Sequence, residues 1–429
     1  MTADTPYQWL SHVVAADPQR SCLVDGANVL SYADVRTRVD ARAAAIRGGI
    51  EAWRIVPVEV AIDVDSVIEI LAIQKAGGVP FPYIERVPKI PTLSAPDVAV
   101  CVETSGSSGT RKIVPLTFEN LRASVDASRR RLGTGEDDRW LVCLPLDHVG
   151  GLSIIWRTLD AGGTAIVVPF DPGGADIERL EPTIASMVPT MVHRLMGNNP
   201  GALASIGAVL VGGAALGLPL RERCVGAGVQ LVPTYGLTEA GSQVATAARG
   251  MSKTSEGWVG TALDTMEVLI VGFDHEPVRS GHTGLIAIEG PAVFNGYLGE
   301  EHRQRRFVTS DLGRLDTEGS LYVEGRIDDV ILSGGENVSL GRVAEFIKGL
   351  DGVDDVCVVG VEDAEWGTVG AVMVVCDGGL ESIEAMVERN LRGFERPKRW
   401  LQRETIPRLT NGKHDLVAVR AAFEEESWT

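Results

Sequence analysis

A chain of 429 residues is too long for one small core, and division into two or three units is the expectation. Its composition is that of an ordinary soluble globular protein, 45% apolar and 23% charged. A formal charge of −18 argues against a general nucleic-acid binder and against an anionic membrane surface as partner, so any anionic ligand needs a local island of cations and amide groups.

The first stretch, Leu30 to Val35, leads into an Ala- and Arg-rich helix that ends near Gly48 and Gly49. A strand-like V-P-V-E-V-A-I follows at 56–62, then a helix through Val67, Ile70 and Ile73, stopped by Gly77 and Gly78. Strands alternating with helices at this spacing predict an α/β layer. Val98 to Val102 reads as a buried strand that opens into T-S-G-S-S-G-T-R-K, residues 104–112. Beyond Pro115, Thr117 is placed to cap a helix bearing Leu121, Val125 and Leu132. Further strands are expected at Trp140–Leu144, Thr164–Pro169, Ala208–Val211 and Val229–Val232, several of them ending in Gly-rich turns. Ligands of open α/β sheets sit at such carboxyl ends. From about Trp258 short alternating runs predict a β-rich unit, and a last unit of mixed helices and strands follows Arg326.

The six cysteines are scattered among apolar neighbours with no C-x-x-C pair, which predicts core thiols. The N-terminus lacks a basic region followed by an apolar one, and no apolar run could span a bilayer. The expectation is a cytoplasmic protein.

Glycines in the 104–112 loop let backbone approach an anion closely, while its hydroxyls, amides and lysine supply donors and charge. That suits a polyphosphate, although a solvated turn would look similar and the common P-loop spacing is absent. Four further segments change the balance: Y-G-L-T-E at 235–239, S-D-L-G at 310–313, E-G-R-I-D-D at 324–329 and N-G-K at 411–413. In this order the set resembles the adenylate-forming superfamily of acyl- and aryl-CoA synthetases, carrier-loading adenylation domains and luciferases. The likeness runs from Leu30 to Lys413.

The resemblance implies an α/β fold: a large N-terminal AMP-binding domain of α/β layers (1–327) with a β-rich subdomain at about 258–325. A small mobile α+β C-terminal domain (328–429), hinged at Asp328, completes it. It also implies ATP, Mg²⁺ and coenzyme A as cofactors and a small carboxylic acid as partner. Thr104, Ser105, Gly106, Ser107, Ser108, Gly109, Thr110 and Lys112 would wrap the β- and γ-phosphates. Thr238 would contact a phosphate and Glu239 would ligate Mg²⁺. Tyr235 would stack on adenine against Gly212, Gly213 and Ala214, with Thr234 and Gly236 beside it. Asp311 would accept from the ribose hydroxyls and Arg326 would help hold them. Lys413 would reach between the acid and the α-phosphate, and Ser333, Gly334 and Gly335 would face the thiol donor's arm. His148 reads equally as a buried structural histidine or as a gate beside the acyl pocket, and His193 as a packing or capping residue.

Within the superfamily, L-P-L-D-H-V-G-G-L at 144–152, V-P-T at 188–190 and L-V-G-G-A-A at 210–215 resemble o-succinylbenzoate–CoA ligases of menaquinone synthesis. An acceptor other than CoA, a carrier-protein arm or an amine, shares every motif and stays open, as does a homodimer. Departures from the family pattern are Arg111, Ile113, Ser310 and the His414–Asp415 pair, none of which removes a charged contact.

Overall fold

The protein is described by a computed structural model covering residues 5–85, 87, 96–104, 111–251, 253–300, 306–334, 336–408 and 414–426. Among these residues the frame is a 13-stranded sheet. Six strands run parallel in the order Ser21–Asp25, Thr164–Val167, Arg139–Val142, Ile184–Met187, Ala208–Val211 and Leu231–Leu237. An antiparallel wing then continues through Ser242–Thr246, Trp258–Ala262, Ser320–Arg326, Arg306–Leu315, Gly284–Glu289 and Glu267–Val271. The β-rich stretch expected from Trp258 onward is therefore joined edge to edge to the α/β layer.

Helices cover both faces of the parallel part, which is why its strands are buried on both sides. Pro6–Ala16, Tyr32–Ile46, Val64–Ala76, Phe118–Leu132 and Val149–Ala161 pack on one face around Trp9, Trp140 and Trp156. Ala175–Leu180, Pro189–Asn198, Pro200–Ser205 and Leu218–Gly226 cover the other. The Phe118–Leu132 helix starts as its sequence predicts: the Thr117 hydroxyl accepts from the Asn120 amide and the Asn120 side chain reaches back. It ends at Gly133, whose φ of 62° satisfies a left-handed cap, after three arginines that complement the helix dipole.

Two local expectations change. The strand from Val98 runs to Thr104 and pairs antiparallel with a second strand, Lys112–Thr117, where a helix start was the next element expected. Alternation of Ile113, Val114 and Leu116 around Pro115 is too short a signal for sequence alone. The V-P-V-E-V-A-I strand occupies Ile55–Glu59, starting one residue earlier than expected, and pairs in parallel with the unanticipated Val79–Tyr83.

A second sheet begins at Val330, four residues after the large sheet ends at Arg326. Its centre is the hairpin Val353–Asp363 with Gly367–Cys376, covered by the helices Leu340–Lys348, Leu380–Asn390 and Leu416–Glu425. The Leu340–Lys348 helix also lies against the large sheet's outer layer, with Gly349 beside Pro219 and the Glu345 backbone beside Gly217. Five cysteines are buried and Cys376 is half-buried, as expected of core thiols, and burial pushes the Cys143 thiol up to about 12. No described helix is long and apolar enough to cross a membrane.

Candidate active site

The strand Leu231–Leu237 serves two pairings in succession. Its first three residues pair in parallel with Val209–Val211, and Thr234 onward pairs antiparallel with Ser242–Thr246. Pro233 marks the change; its missing N–H limits ladder hydrogen bonding there. A bulge between Tyr235 and Gly236 brings the returning strand so close that a Cβ on Gly236 would lie 1.8 Å from the Ser242 carbonyl oxygen. Only glycine fits. The same holds at Gly212, where a Cβ would lie 2.8 Å from Thr234 Cγ2. Gly213 takes φ 78°, and Ala214 beyond it is exposed.

This bend aims Tyr235 at the antiparallel wing. Its hydroxyl donates to Asp311 Oδ2 at 2.6 Å, and Arg326 Nη1 donates to Asp311 Oδ1 at 3.1 Å. Asp311 and Arg326 face each other across adjacent strands, so the pairing register itself sets this contact. Burial, then the Asp311 charge, pushes the Tyr235 hydroxyl well above its ordinary value and keeps it a donor. Thr234 turns its hydroxyl to Thr246, 2.8 Å away. Three of the sequence-predicted nucleotide residues thus form one hydrogen-bonded group at the sheet's carboxyl edge.

Glu239 follows on the single helical turn Thr238–Ala240, which Gly241 closes with φ 62°. Its carboxylate Oε1 accepts from the Tyr297 hydroxyl at 2.8 Å. Lys112 Nζ sits 4.2 Å from the centre of the same tyrosine ring and 3.3 Å from Glu300. Thr104 donates to the Lys112 carbonyl at 3.3 Å, and Arg111 pairs with Glu103 at 2.6 Å. Among the described residues no group of three His, Cys, Asp or Glu could hold a metal ion. A single carboxylate fits magnesium nonetheless, because Mg²⁺ keeps several waters and binds through one or two carboxylates plus substrate phosphates. Ser105 to Thr110, Gly335 and Lys413 lie outside the described residues. The residues flanking Lys413 can be followed: Arg408 and His414 pair across one bridge, and both reach the Asp355 carboxylate. Burial would raise that carboxyl, but His414, Lys348 and Arg408 hold it well below the usual range.

On the other side of the bent strand lies a group that the sequence reading missed. Arg157, on the Val149–Ala161 helix, is 4% exposed, and its Nη2 donates to Ser242 Oγ at 3.1 Å. Its guanidinium lies 5.7 Å from the centre of the Trp140 ring, and its Nε has no partner. No ion pair with an acid is found for it among the described residues, and burial pushes it down to about 9. Ser242 itself holds φ 123°, a conformation that costs a non-glycine residue about 1–3 kcal/mol and concentrates at functional sites. Ser153 stands one turn before Arg157 and donates to the Gly150 carbonyl. The helix enters this region through P-L-D-H-V-G-G: a Cβ on Gly151 would lie 2.3 Å from the Pro145 carbonyl oxygen, so the glycine lets helix and turn touch. The available signal was an arginine at i+4 from Ser153 inside an otherwise apolar helix.

His148 is the N-cap residue of that helix, and its side chain is 52% exposed, which removes the buried structural alternative. Asp147 beside it is pushed up by burial. His193 sits half-buried on the Pro189–Asn198 helix, lowered by burial and then by Lys348 and Arg223. Ser333 is 2% exposed in the second sheet, and the Gly334 amide donates to the Trp366 carbonyl at 3.1 Å.

Comparison with known proteins places the chain in a family. The profile of the AMP-binding enzyme family matches residues 84–298, and that of the AMP-binding enzyme C-terminal domain matches 342–413. A 2-succinylbenzoate–CoA ligase of Bacillus cereus is 34% identical over 345 residues, 77% of this chain and 72% of its own length. An o-succinylbenzoate CoA synthetase of Bacillus subtilis, solved with its acyl-adenylate intermediate, superposes with a TM-score of 0.87 at 24% identity, covering 100% and 99% of the two chains. The same Bacillus subtilis enzyme with ATP and a magnesium ion gives 0.85 at 24% identity, covering 97% and 99%. On these matches the chain belongs to the AMP-binding enzyme family.

Proposed function

We propose that the protein is an ATP-dependent acid–CoA ligase whose acid is o-succinylbenzoate. A carboxylate oxygen of the acid attacks the α-phosphorus of ATP, the bond to pyrophosphate breaks, and an acyl-AMP forms. The thiolate of CoA then attacks the acyl carbon, AMP leaves, and the thioester results. Both steps join groups that repel or react poorly in water, so positioning and charge neutralisation do most of the work.

The observation that carries the choice of acid is Arg157. A buried guanidinium with a serine hydroxyl and no carboxylate partner among the described residues is unfavourable by itself, and an anionic ligand removes the penalty. Only an acid with a second carboxylate has one to spare after the first has reacted. o-Succinylbenzoate is such an acid, and the name of the Bacillus cereus relative agrees. His148, exposed at the entrance of the same helix, borders the path.

On the nucleotide side, Asp311 and Arg326 take the ribose, Tyr235 lines the base, and Lys112 with residues 104–110 takes the outer phosphates. Thr238 and Glu239 stand where those phosphates and a magnesium ion would be held. The ion would supply neutralisation of the polyphosphate. Lys413 serves the first step only. Residues 1–327 form the AMP-binding domain, and 328–429 rotate about Asp328 between the steps, a hinge-type change that lets the thiol reach the carbon. The break between the two sheets after Arg326 supports that boundary.

Two measurements test the reading. A panel of o-succinylbenzoate, benzoates, cinnamates and fatty acids scored for AMP release should single out the dicarboxylate; equal use of benzoate would overturn it. Lys413→Ala should abolish acid-dependent ATP–pyrophosphate exchange while leaving thiolysis of supplied acyl-AMP intact. Equal loss of both would remove its assigned role. Pyrophosphate release without a thioester, with CoA as the sole thiol, would point to a carrier or amine acceptor.

A further inference from the structure

The segment from Pro291 to Leu298 crosses between the phosphate hairpin and the Glu239 turn, and it is bonded to both. Its Phe294 amide donates to the Glu239 carbonyl at 2.8 Å, and its Leu298 amide donates to the Ile113 carbonyl at 2.9 Å. Asn120, the capping residue of the Phe118–Leu132 helix, holds the near end by donating to the Pro291 and Val293 carbonyls at 2.8 and 3.0 Å. Phe294 anchors it from below, edge-on to Tyr297 at 4.9 Å and to Phe307 at 5.2 Å. The strap thus fixes how far apart Lys112 and Glu239 stand.

Tyr297 carries that coupling into the side chains. Its hydroxyl donates to one oxygen of Glu239, its ring faces the Lys112 ammonium, and the other oxygen of Glu239 has no partner among the described residues. A carboxylate free to rotate presents either oxygen, or both, to a cation. One oxygen held by a fixed phenol leaves a single oriented lone-pair set for the metal, and such supporting partners tune metal affinity. The strap's backbone bonds would persist without the hydroxyl, so the phenol O–H is separable from the fold around it.

We propose that Tyr297 is a positioning residue for magnesium: it holds Glu239 with one oxygen turned to the ion and sets that carboxylate's distance from Lys112. The proposal rests on the adenylating reading above, in which Glu239 is the metal-holding carboxylate. It acts on metal affinity in the first half-reaction and leaves the metal-independent steps alone.

The test is Tyr297→Phe, which removes one oxygen atom and keeps the ring under Lys112. Calorimetric titration of ATP at stepped Mg²⁺ concentrations should show the Mg²⁺ half-saturation raised by roughly 10–100-fold, the usual effect of losing a metal ligand's supporting partner. Affinity for AMP, which needs no metal, should stay as in the parent, and so should thiolysis of supplied acyl-AMP, which also reports that the variant is folded. Acid-dependent ATP–pyrophosphate exchange should recover most of its rate at high Mg²⁺. An unchanged Mg²⁺ half-saturation would overturn the proposal. A parallel loss of AMP affinity would overturn it too, since that marks a structural role. Should the parent protein show no exchange with any acid, the adenylating reading falls, while the Mg²⁺ dependence of ATP binding still decides the part played by Tyr297.

Discussion

On the nucleotide side of the bent strand, each charge already has an answering group. Asp311 takes Tyr235 and Arg326, Glu239 takes Tyr297, and Lys112 lies between Glu300 and a tyrosine face. Behind the same strand, Arg157 has a serine hydroxyl, an indole face and, among the described residues, no acid. The first region is wired before any ligand arrives, which fixes geometry for a nucleotide whose own charge is met partly by a metal. The second holds its charge in reserve, where desolvation makes an incoming carboxylate worth more than it would be in water. A site that must accept any ATP can be pre-paired; a site that must choose one acid gains discrimination from an unmet partner.

The sharpest way to break this contrast is at Arg157. Arg157→Met should lower kcat/KM for o-succinylbenzoate by roughly 10²–10³-fold, the scale of leaving a buried charge unanswered. ATP affinity should not move. The variant should lose little with 4-(2-methylphenyl)-4-oxobutanoate, the same keto acid with a methyl in place of the ring carboxylate. Removing an unpaired buried charge should also raise stability, by about 1–4 kcal/mol, read as a higher Tm. A variant with both acids equally impaired and a lowered Tm would make Arg157 a structural core residue instead.

On the paired side the effects should be smaller, because Asp311 keeps a second partner when one contact is weakened. Asp311→Asn weakens the contact with Arg326 and the acceptor strength toward Tyr235, and the KM for ATP should rise about 10–100-fold, as for loss of charge-assisted bonds. Tyr235→Phe removes one donor to the same carboxylate and should cost about 1 kcal/mol, roughly fivefold in the same KM. Neither change should alter the preference between the two acids. If Asp311→Asn shifted that preference, the two regions would not be separate devices.

How much of this was legible beforehand follows from the range of each signal. Thr117 and Asn120 announce their helix because a cap is written within four residues. Tyr235, Asp311 and Arg326 were singled out because each sits in a short motif, although their mutual hydrogen bonds depend on strand register across 76 residues of chain. Tyr297 and Arg157 were missed for the opposite reason. Arg157 looks like one polar residue in an apolar helix until the Ser242 strand folds back over it, and Tyr297 has no local pattern that says its hydroxyl meets Glu239. The joining of the β-rich strands to the parallel sheet was hidden likewise, because one strand, Leu231–Leu237, changes partner type halfway along.

The smallest effect on activity is expected at Glu345, and it serves as the control for Arg157. Glu345 lies on the Leu340–Lys348 helix where the second sheet's layer meets the first, and burial, then the charge of Glu256, pushes its carboxyl up to about 8 against the pull of Arg221. It is a second desolvated charge, in a place where no substrate is expected. An acid whose folded value is raised contributes stability when protonated and loses it as pH rises. The wild-type protein should therefore weaken progressively from about pH 4.5 to about pH 8 and no further above that, while Glu345→Gln should not. The stability difference between the variant and its parent, followed through Tm, should grow from pH 5.5 to pH 8.5 by an amount on the order of 1–2 kcal/mol after solvent screening of a partly exposed side chain. Acid-dependent exchange should be unchanged. If Glu345→Gln and Arg157→Met both raised stability and neither touched the choice of acid, desolvated charge in this protein would be a tolerance of the fold. A loss of dicarboxylate preference in Arg157→Met alone ties the reserve of charge to the substrate.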